Sequence, residues 1–313
     1  MLTHLIIILD DTSVSYCYYN RASDRKLISL DDLKSGIVWA MKENLNVQFV
    51  YPDYELPSEY YRLIDIVDHV DIKPECLSSD ADVVVLTEWK NKLPIISKGI
   101  TYIVRASRND LKEHSDSIKD LLKSEARIVI VLTDIETFSD ADIKSYRALL
   151  EDYIDNLCEV FYAGKSIQLN LLTDRIMLNE MNNCNAGVNN ITLAPNGRFY
   201  LCPAFYYDNP NEDIGDLSRG LEIKNQELLN IDHAPICRIC EAYHCKRCIW
   251  LNGRLTLDYN TPSHQQCVIS HLERNASRLL QQKLAEKSMS LNPSCEIKEI
   301  SYIDPFNIVN KWK

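Results

Sequence analysis

The stretch CNAGVNNITLAPNGRFYLCP at 184–203, with CRICEAYHCKRC at 237–248 and a further cysteine at 267, decides how this chain reads. Its frame is Cys184-x12-Gly197-x4-Cys202, a gap, Cys237-x2-Cys240-x4-Cys245-x2-Cys248, a gap, and Cys267. Seven of the 11 cysteines fall between 184 and 267, where an even spread would place roughly three. Two pairs are CxxC, whose sulfurs reach one metal site when a turn lies between them. Thiols clustered at such spacing read first as metal ligands and only second as a disulfide framework.

Outward from this stretch, the preceding residues alternate short β-type runs with helical periods. LIIIL at 5–9, VQFV at 47–50, VVVL at 83–86, TYIV at 101–104, RIVIVL at 127–132 and SIQLNLL at 166–172 predict strands. Helices are expected after Ser29, after Pro57, from about 110 to 123, from about 139 to 162 and from about 268 to 288. Val70 and Ile72 read as a short edge element. Continuous Val/Ile runs alternating with helices imply a parallel sheet covered by helices. Five or six strands suffice for a partial (β/α)6-type barrel but not for an eightfold one. The expected division is an α/β partial barrel over 1–178, a cysteine-rich domain with a helix over 179–290, and an extension over 291–313, strands or extended chain.

Composition narrows the function. The 313 residues carry a net charge of −11, which disfavours a nucleic-acid partner, since phosphate binding needs clustered Lys and Arg. No basic amphipathic stretch suggests a membrane surface. The opening apolar run ends at Asp10 and Asp11, too short for a signal peptide or a membrane span. The expectation is a cytoplasmic protein with reduced thiols. Glycine is scarce at 8 residues, and GxGxxG, P-loop and nucleophile-elbow motifs are absent.

The cysteine frame resembles the SPASM domain, the auxiliary-cluster domain of radical S-adenosylmethionine enzymes that modify peptides. ITLAPNGRFYLCP at 191–203 is similar to the family's strand-turn-strand, with Asn196-Gly197 as the turn, and EDIGDLSRG at 212–220 is similar to its "iGdl" segment. Two features depart from the pattern. The family usually has five and three residues where this chain has four between Cys240 and Cys245 and two between Cys245 and Cys248. The CxxxCxxC motif that follows the first barrel strand in radical enzymes is also missing. DDTSVSYCYYN stands there, with Cys17 alone. Cys76 and Cys158 are too far off in sequence to replace it, so no S-adenosylmethionine cluster is expected. LIIILDDTSVSYCYYN at 5–20 and AMKENLNVQFVYPDYELPSEY at 40–60 resemble CXXX repeat peptide maturases.

The resemblance implies two [4Fe-4S] clusters. Cys237, Cys240, Cys245 and Cys267 would hold one. Cys184, Cys202 and Cys248 would supply three thiolates to the other. Its fourth position would be open to a substrate thiolate or closed by Asp208, Asp213, His244 or Cys295. Zinc is the alternative metal for the same thiols. The implied function is maturation of a short, ribosomally made, cysteine-containing (CXXX repeat) precursor peptide, with a separate radical S-adenosylmethionine or redox protein as a possible partner. The alternative is a non-catalytic peptide-binding scaffold whose zinc or clusters only hold the fold.

Other residues carry weaker signals. Asp10, Asp11 and Thr12 sit where barrel sites are built, but such residues more often cap the next element. Cys17 reads as a vestige or a core thiol. Tyr16, Tyr18 and Tyr19 suit a peptide groove or, more commonly, a core edge.

Overall fold

The first apolar run forms β1 (His4–Ile8), whose Leu5, Ile7 and Ile8 are wholly buried. Burial of both faces is what selects a continuous apolar strand. The computed structural model describes residues 2–178, 181, 183–289 and 291. These fall into two compact units. Unit one takes the residues up to Thr87 together with Cys184–Asn230; unit two takes Glu88–Asn183 and the described residues from Ile231 onward.

In unit one β1 leads to α1 (Leu30–Lys42), where Ser29 accepts the Asp32 N–H and caps the helix. Leu33, Ile37 and Ala40 form its buried face, the i, i+4, i+7 stripe of an amphipathic helix. Next come β2 (Asn46–Val50), α2 (Ser58–Ile64), β3 (His69–Pro74) and β4 (Val83–Leu86). β3 is not the edge element that the sequence suggested, because it pairs with β2 on one side and β4 on the other. Polar residues interrupt its apolar run, and they are buried in pairs. Asp71 meets Lys73 Nζ at 2.7 Å and His69 Nε2 at 3.5 Å.

Unit two begins with β5 (Thr101–Ala106), α3 (Arg108–Glu113), α4 (Ser115–Leu122), β6 (Arg127–Leu132), α5 (Asp140–Tyr162) and β7 (Gln168–Leu169). β5, β6 and β7 pair in parallel. The single helix expected near 110–123 is two. A Ser107–Asp110 capping box moves the start to Arg108, and His114 breaks the run at φ −116°, ψ 30°. The strand expected over 166–172 pairs only through Gln168 and Leu169. Beyond them the Asn170 side chain takes both backbone groups of Ile130, at 2.8 and 2.9 Å, in place of ladder bonds.

The chain then returns to unit one. β8 (Asn190–Leu193) pairs in parallel with β1, Leu5 opposite Ile191, and β9 (Phe199–Tyr200) folds back antiparallel. Asn196-Gly197 makes the turn, with Gly197 at φ 76° donating its N–H to Ala194 O at 3.0 Å, a conformation glycine adopts without penalty. The strands of unit one run β4-β3-β2-β1-β8-β9. Helix α6 (Pro203–Asp208) follows, then the small hairpin of β10 (Gly215–Asp216) and β11 (Gly220–Leu221). Gly215, at φ 123°, lies so close to β11 that a Cβ would stand 1.9 Å from Gly220 O.

In unit two, α7 (Ile249–Thr256) and α8 (His264–Glu286) complete the described chain. α8 starts four residues before the position expected from periodicity, because Ser263 and Gln266 form a capping box. It packs on α5, where Tyr162 Oη donates to Lys283 O at 3.0 Å. No described helix is long and apolar enough to cross a membrane. The expected extension, including Cys295, lies outside the described residues except for Leu291.

Candidate metal centre

Four of the seven expected metal-binding cysteines line one cavity of unit two. Cys237, Cys240, Cys245 and Cys267 line it together with Met181, Ile236 and His271. The local fold explains each position. Cys237 opens a single 3-10 turn that Cys240 ends in extended conformation, its N–H bonded to Cys237 O at 3.0 Å. Both thiols of this CxxC line the same cavity. His244, at φ 56°, reverses the chain just before Cys245. Cys267 lies in the first turn and a half of α8, where the helix dipole favours a thiolate.

The sulfurs are provided with donors. Ala242 N–H reaches Cys240 Sγ at 3.4 Å, Arg247 N–H reaches Cys245 Sγ at 3.4 Å, and Asn183 Nδ2 reaches Cys245 Sγ at 3.8 Å. His271 Nε2 stands 3.4 Å from Cys240 Sγ. Such donors stabilise sulfur as thiolate and tune whatever metal it binds. Among the described residues no group of three or more His, Cys, Asp or Glu side chains is arranged to hold a single metal ion. Zinc would draw all four sulfurs to about 2.3 Å from one point. An iron-sulfur cluster instead offers each thiolate its own iron.

A buried polar framework holds the loop that carries these thiols. Arg175, 1% exposed, donates to the carbonyls of Tyr243 at 3.0 Å and His244 at 3.2 Å, and also to Leu171 O. Its Nη2 pairs with Glu273 of α8, itself 0% exposed, at 2.9 Å. Tyr146 Oη donates to the same carboxylate at 2.7 Å, and Lys246 Nζ lies 3.3 Å away. Burial, then the Glu273 charge, pushes the Tyr146 phenol well above its ordinary value. Gln266 and Ser270 grip Lys246, through its carbonyl at 3.0 Å and its N–H at 2.9 Å.

The remaining candidates are elsewhere. His244 lines a different cavity of unit two with Arg127 and Asp174, 3.9 Å from the Asp174 carboxylate. Burial and then the Lys246, Arg175 and Arg127 cations lower its pKa to about 3. Cys248 caps α7 in unit two. Cys184 and Cys202 belong to unit one. Asp208 ends α6, and Asp213 pairs with Arg198 at 3.0 Å and Arg219 at 3.5 Å. Asp10 is consumed internally: it accepts from Thr12 N–H at 2.8 Å, Thr12 Oγ1 at 2.6 Å and Tyr54 Oη at 2.9 Å. Asp11 accepts from Tyr206 Oη at 2.5 Å, and burial raises its pKa. Cys76 is exposed, and Cys158 is buried on α5. The sequence reading missed His271, although it stands four residues after Cys267 on one helix face. It also missed Arg175 and Glu273, whose pairing spans 98 positions.

Neither a protein-family model nor a curated protein matches this sequence. Solved structures do resemble its fold. A polyhistidine-tagged anSMEcpe with bound AdoMet superposes with a TM-score of 0.57 at 11% identity, over 92% of this chain and 100% of that one. Native anSMEcpe with bound AdoMet and Cp18Cys peptide gives 0.58 at 11% identity over the same shares.

Proposed function

We propose that this chain takes part in the maturation of a short cysteine-containing precursor peptide of the CXXX repeat type, binding the peptide and carrying auxiliary [4Fe-4S] clusters. The observation that carries this reading is the cavity lined by Cys237, Cys240, Cys245 and Cys267 with N–H donors on their sulfurs. The fold adds support, since its structural relative anSMEcpe holds a Cp18Cys peptide. On this reading the four thiols hold one cluster, and Cys184 and Cys202 contribute to a second in unit one. When bound, such clusters supply an electron relay or an iron on which a peptide thiolate can anchor. The protein's part is to hold the thiolates, donate hydrogen bonds to them and keep water away.

The test is a calorimetric titration of the anaerobically prepared protein with a CXXX repeat peptide and with its Cys→Ser version. Anchoring on iron predicts that the serine version binds more weakly and gives no change in the electron paramagnetic resonance spectrum. Equal binding of both peptides points to strand addition at a sheet edge. Failure of both to bind removes the maturation reading.

The missing CxxxCxxC favours a second reading, a peptide-presenting scaffold serving a separate radical S-adenosylmethionine or redox protein. Three clustered thiolates are needed for a cluster with one open iron, and after β1 only Cys17 is present. The purified, anaerobically reconstituted chain is therefore expected to yield no 5′-deoxyadenosine from S-adenosylmethionine. Release of that product above a protein-free control would contradict it.

A further inference from the structure

A ladder of five tyrosine rings runs through unit one, built from three segments that are distant in sequence. Tyr16 and Tyr19 come from the loop after β1, Tyr200 from β9, and Tyr206 and Tyr207 from α6. Tyr16 meets Tyr19 edge to face with centroids 5.7 Å apart. Tyr19 stacks on Tyr207 at 5.0 Å with planes at 7°. Tyr207 meets Tyr206 at 5.1 Å, and Tyr206 meets Tyr200 at 5.1 Å, both pairs tilted. The ladder starts half-buried at Tyr16 and ends at Tyr200, which is 0% exposed. Tyr19 and Tyr206 between them are buried as well. Centroid separations of about 4.5–7 Å are those of favourable ring contacts, which is the packing role of the cluster.

The hydroxyl partners distinguish the rungs. Tyr19 Oη donates to Val14 O at 3.1 Å, and Tyr200 Oη donates to Pro210 O at 2.8 Å. A carbonyl is too weak a base to take the proton. Tyr207 Oη is buried with no hydrogen-bond partner among the described residues. Tyr206 Oη instead donates to the Asp11 carboxylate at 2.5 Å, a hydrogen bond to an ionised acceptor and so a strong one. Removing an electron from a phenol makes its proton strongly acidic. Oxidation is therefore easiest at the rung whose proton has a base in contact, and in this ladder that rung is Tyr206. Rings in direct contact exchange electrons readily, so an electron vacancy created at Tyr16 travels inward.

From this arrangement we infer that the ladder is an electron-transfer route leading in from the surface, and that Tyr206, paired with Asp11, is the residue on which a neutral tyrosyl radical comes to rest. The oxidant is a sulfur-centred radical, the one-electron-oxidised form of a cysteine thiol, arriving at Tyr16. It gains one electron and becomes a thiolate. Tyr206 loses that electron by way of Tyr207, Tyr19 and Tyr16, and its proton moves to Asp11. No bond between heavy atoms forms or breaks. This redox function of unit one needs no metal and is independent of the maturation reading.

The experiment exposes the full chain and its variants, without air, to glutathiyl radicals made by pulse radiolysis. Tyrosyl radical is read by absorbance and by electron paramagnetic resonance of frozen samples, and circular dichroism checks that each variant is folded. Wild type is expected to give a tyrosyl signal that forms more slowly in deuterium oxide, because a proton moves with the electron. Tyr206→Phe and Asp11→Asn should each lower the yield about tenfold, the worth of a hydrogen bond to a charged partner. Tyr19→Leu, which interrupts the ladder and leaves the Tyr206–Asp11 pair in place, should lower it as well. Tyr60→Phe, whose phenol donates to Ile28 O at 2.6 Å outside the ladder, should leave it unchanged. A wild-type yield no greater than that of Tyr206→Phe overturns the assignment. So does a signal lost in Tyr54→Phe, whose phenol donates to Asp10 at 2.9 Å apart from the ladder. An undiminished yield in Tyr19→Leu overturns the route.

Discussion

Cys237→Ala and Cys240→Ala proteins, purified without air, are expected to lose the iron and sulfide of one cluster and to become protease-sensitive around residues 231–267. Both thiols line the same cavity as Cys245 and Cys267. The backbone there has little regular structure of its own: two 3-10 turns of three residues, Ile231–His233 and Cys237–Ile239, precede Cys240, and no α-helix forms until Ile249. A loop with so little regular structure is expected to draw part of its folding free energy from a bound metal, beside the buried polar contacts that hold it. Cys76→Ser and Cys158→Ala serve as controls, the first exposed and the second buried on α5. Both controls should retain full iron. Equal iron loss in the controls and the cavity variants would mean that the ligands are misassigned.

The second large effect is expected at Glu273. Glu273→Gln keeps the shape of the side chain but leaves Arg175 and Lys246, at 1% and 7% side-chain exposure, with no counter-charge at that position. Removing one partner of a buried pair costs about 3–5 kcal/mol, because the remaining charge stays desolvated. Urea unfolding of the metal-loaded proteins should show a loss of that size. Since Arg175 also holds the carbonyls of Tyr243 and His244, the variant should release iron to a chelator faster than wild type does. A change below about 1 kcal/mol, the range of an exposed pair, would show that the Arg175 contacts to backbone carbonyls suffice without the carboxylate.

Much of this architecture is legible in the residues. The strands at 5–9 and 83–86 announce themselves because burial on both faces leaves an uninterrupted run of Val, Ile and Leu, and 127–132 does so although only Ile128, Ile130 and Leu132 are fully buried. β3 is misread for the converse reason: Asp71 and Lys73 look like surface residues until their pairing is seen. The start of α8 is misplaced because the capping pair Ser263–Gln266 is polar and escapes a search for apolar periodicity. The grouping of Cys237, Cys240, Cys245 and Cys267 is what the SPASM resemblance implies, and the four do line one cavity. The parallel pairing of β1 with β8 is a contact that no local pattern encodes.

That pairing also governs the order in which the chain can be finished during synthesis. β1 lies between β2 and β8, and β8 begins at Asn190, far downstream of the first four strands. A nascent chain halted before that point presents β1 with one hydrogen-bonding edge unfilled and its apolar side chains incompletely covered, the situation that invites mispairing. Unit two interrupts unit one and is itself completed only by residues beyond Ile231. Neither unit can close before its second segment has been made, from Cys184 for unit one and from Ile231 for unit two. On the proposed cluster reading the cavity around Cys237 could be filled only after Cys267 has emerged, when the residues of unit one are already complete.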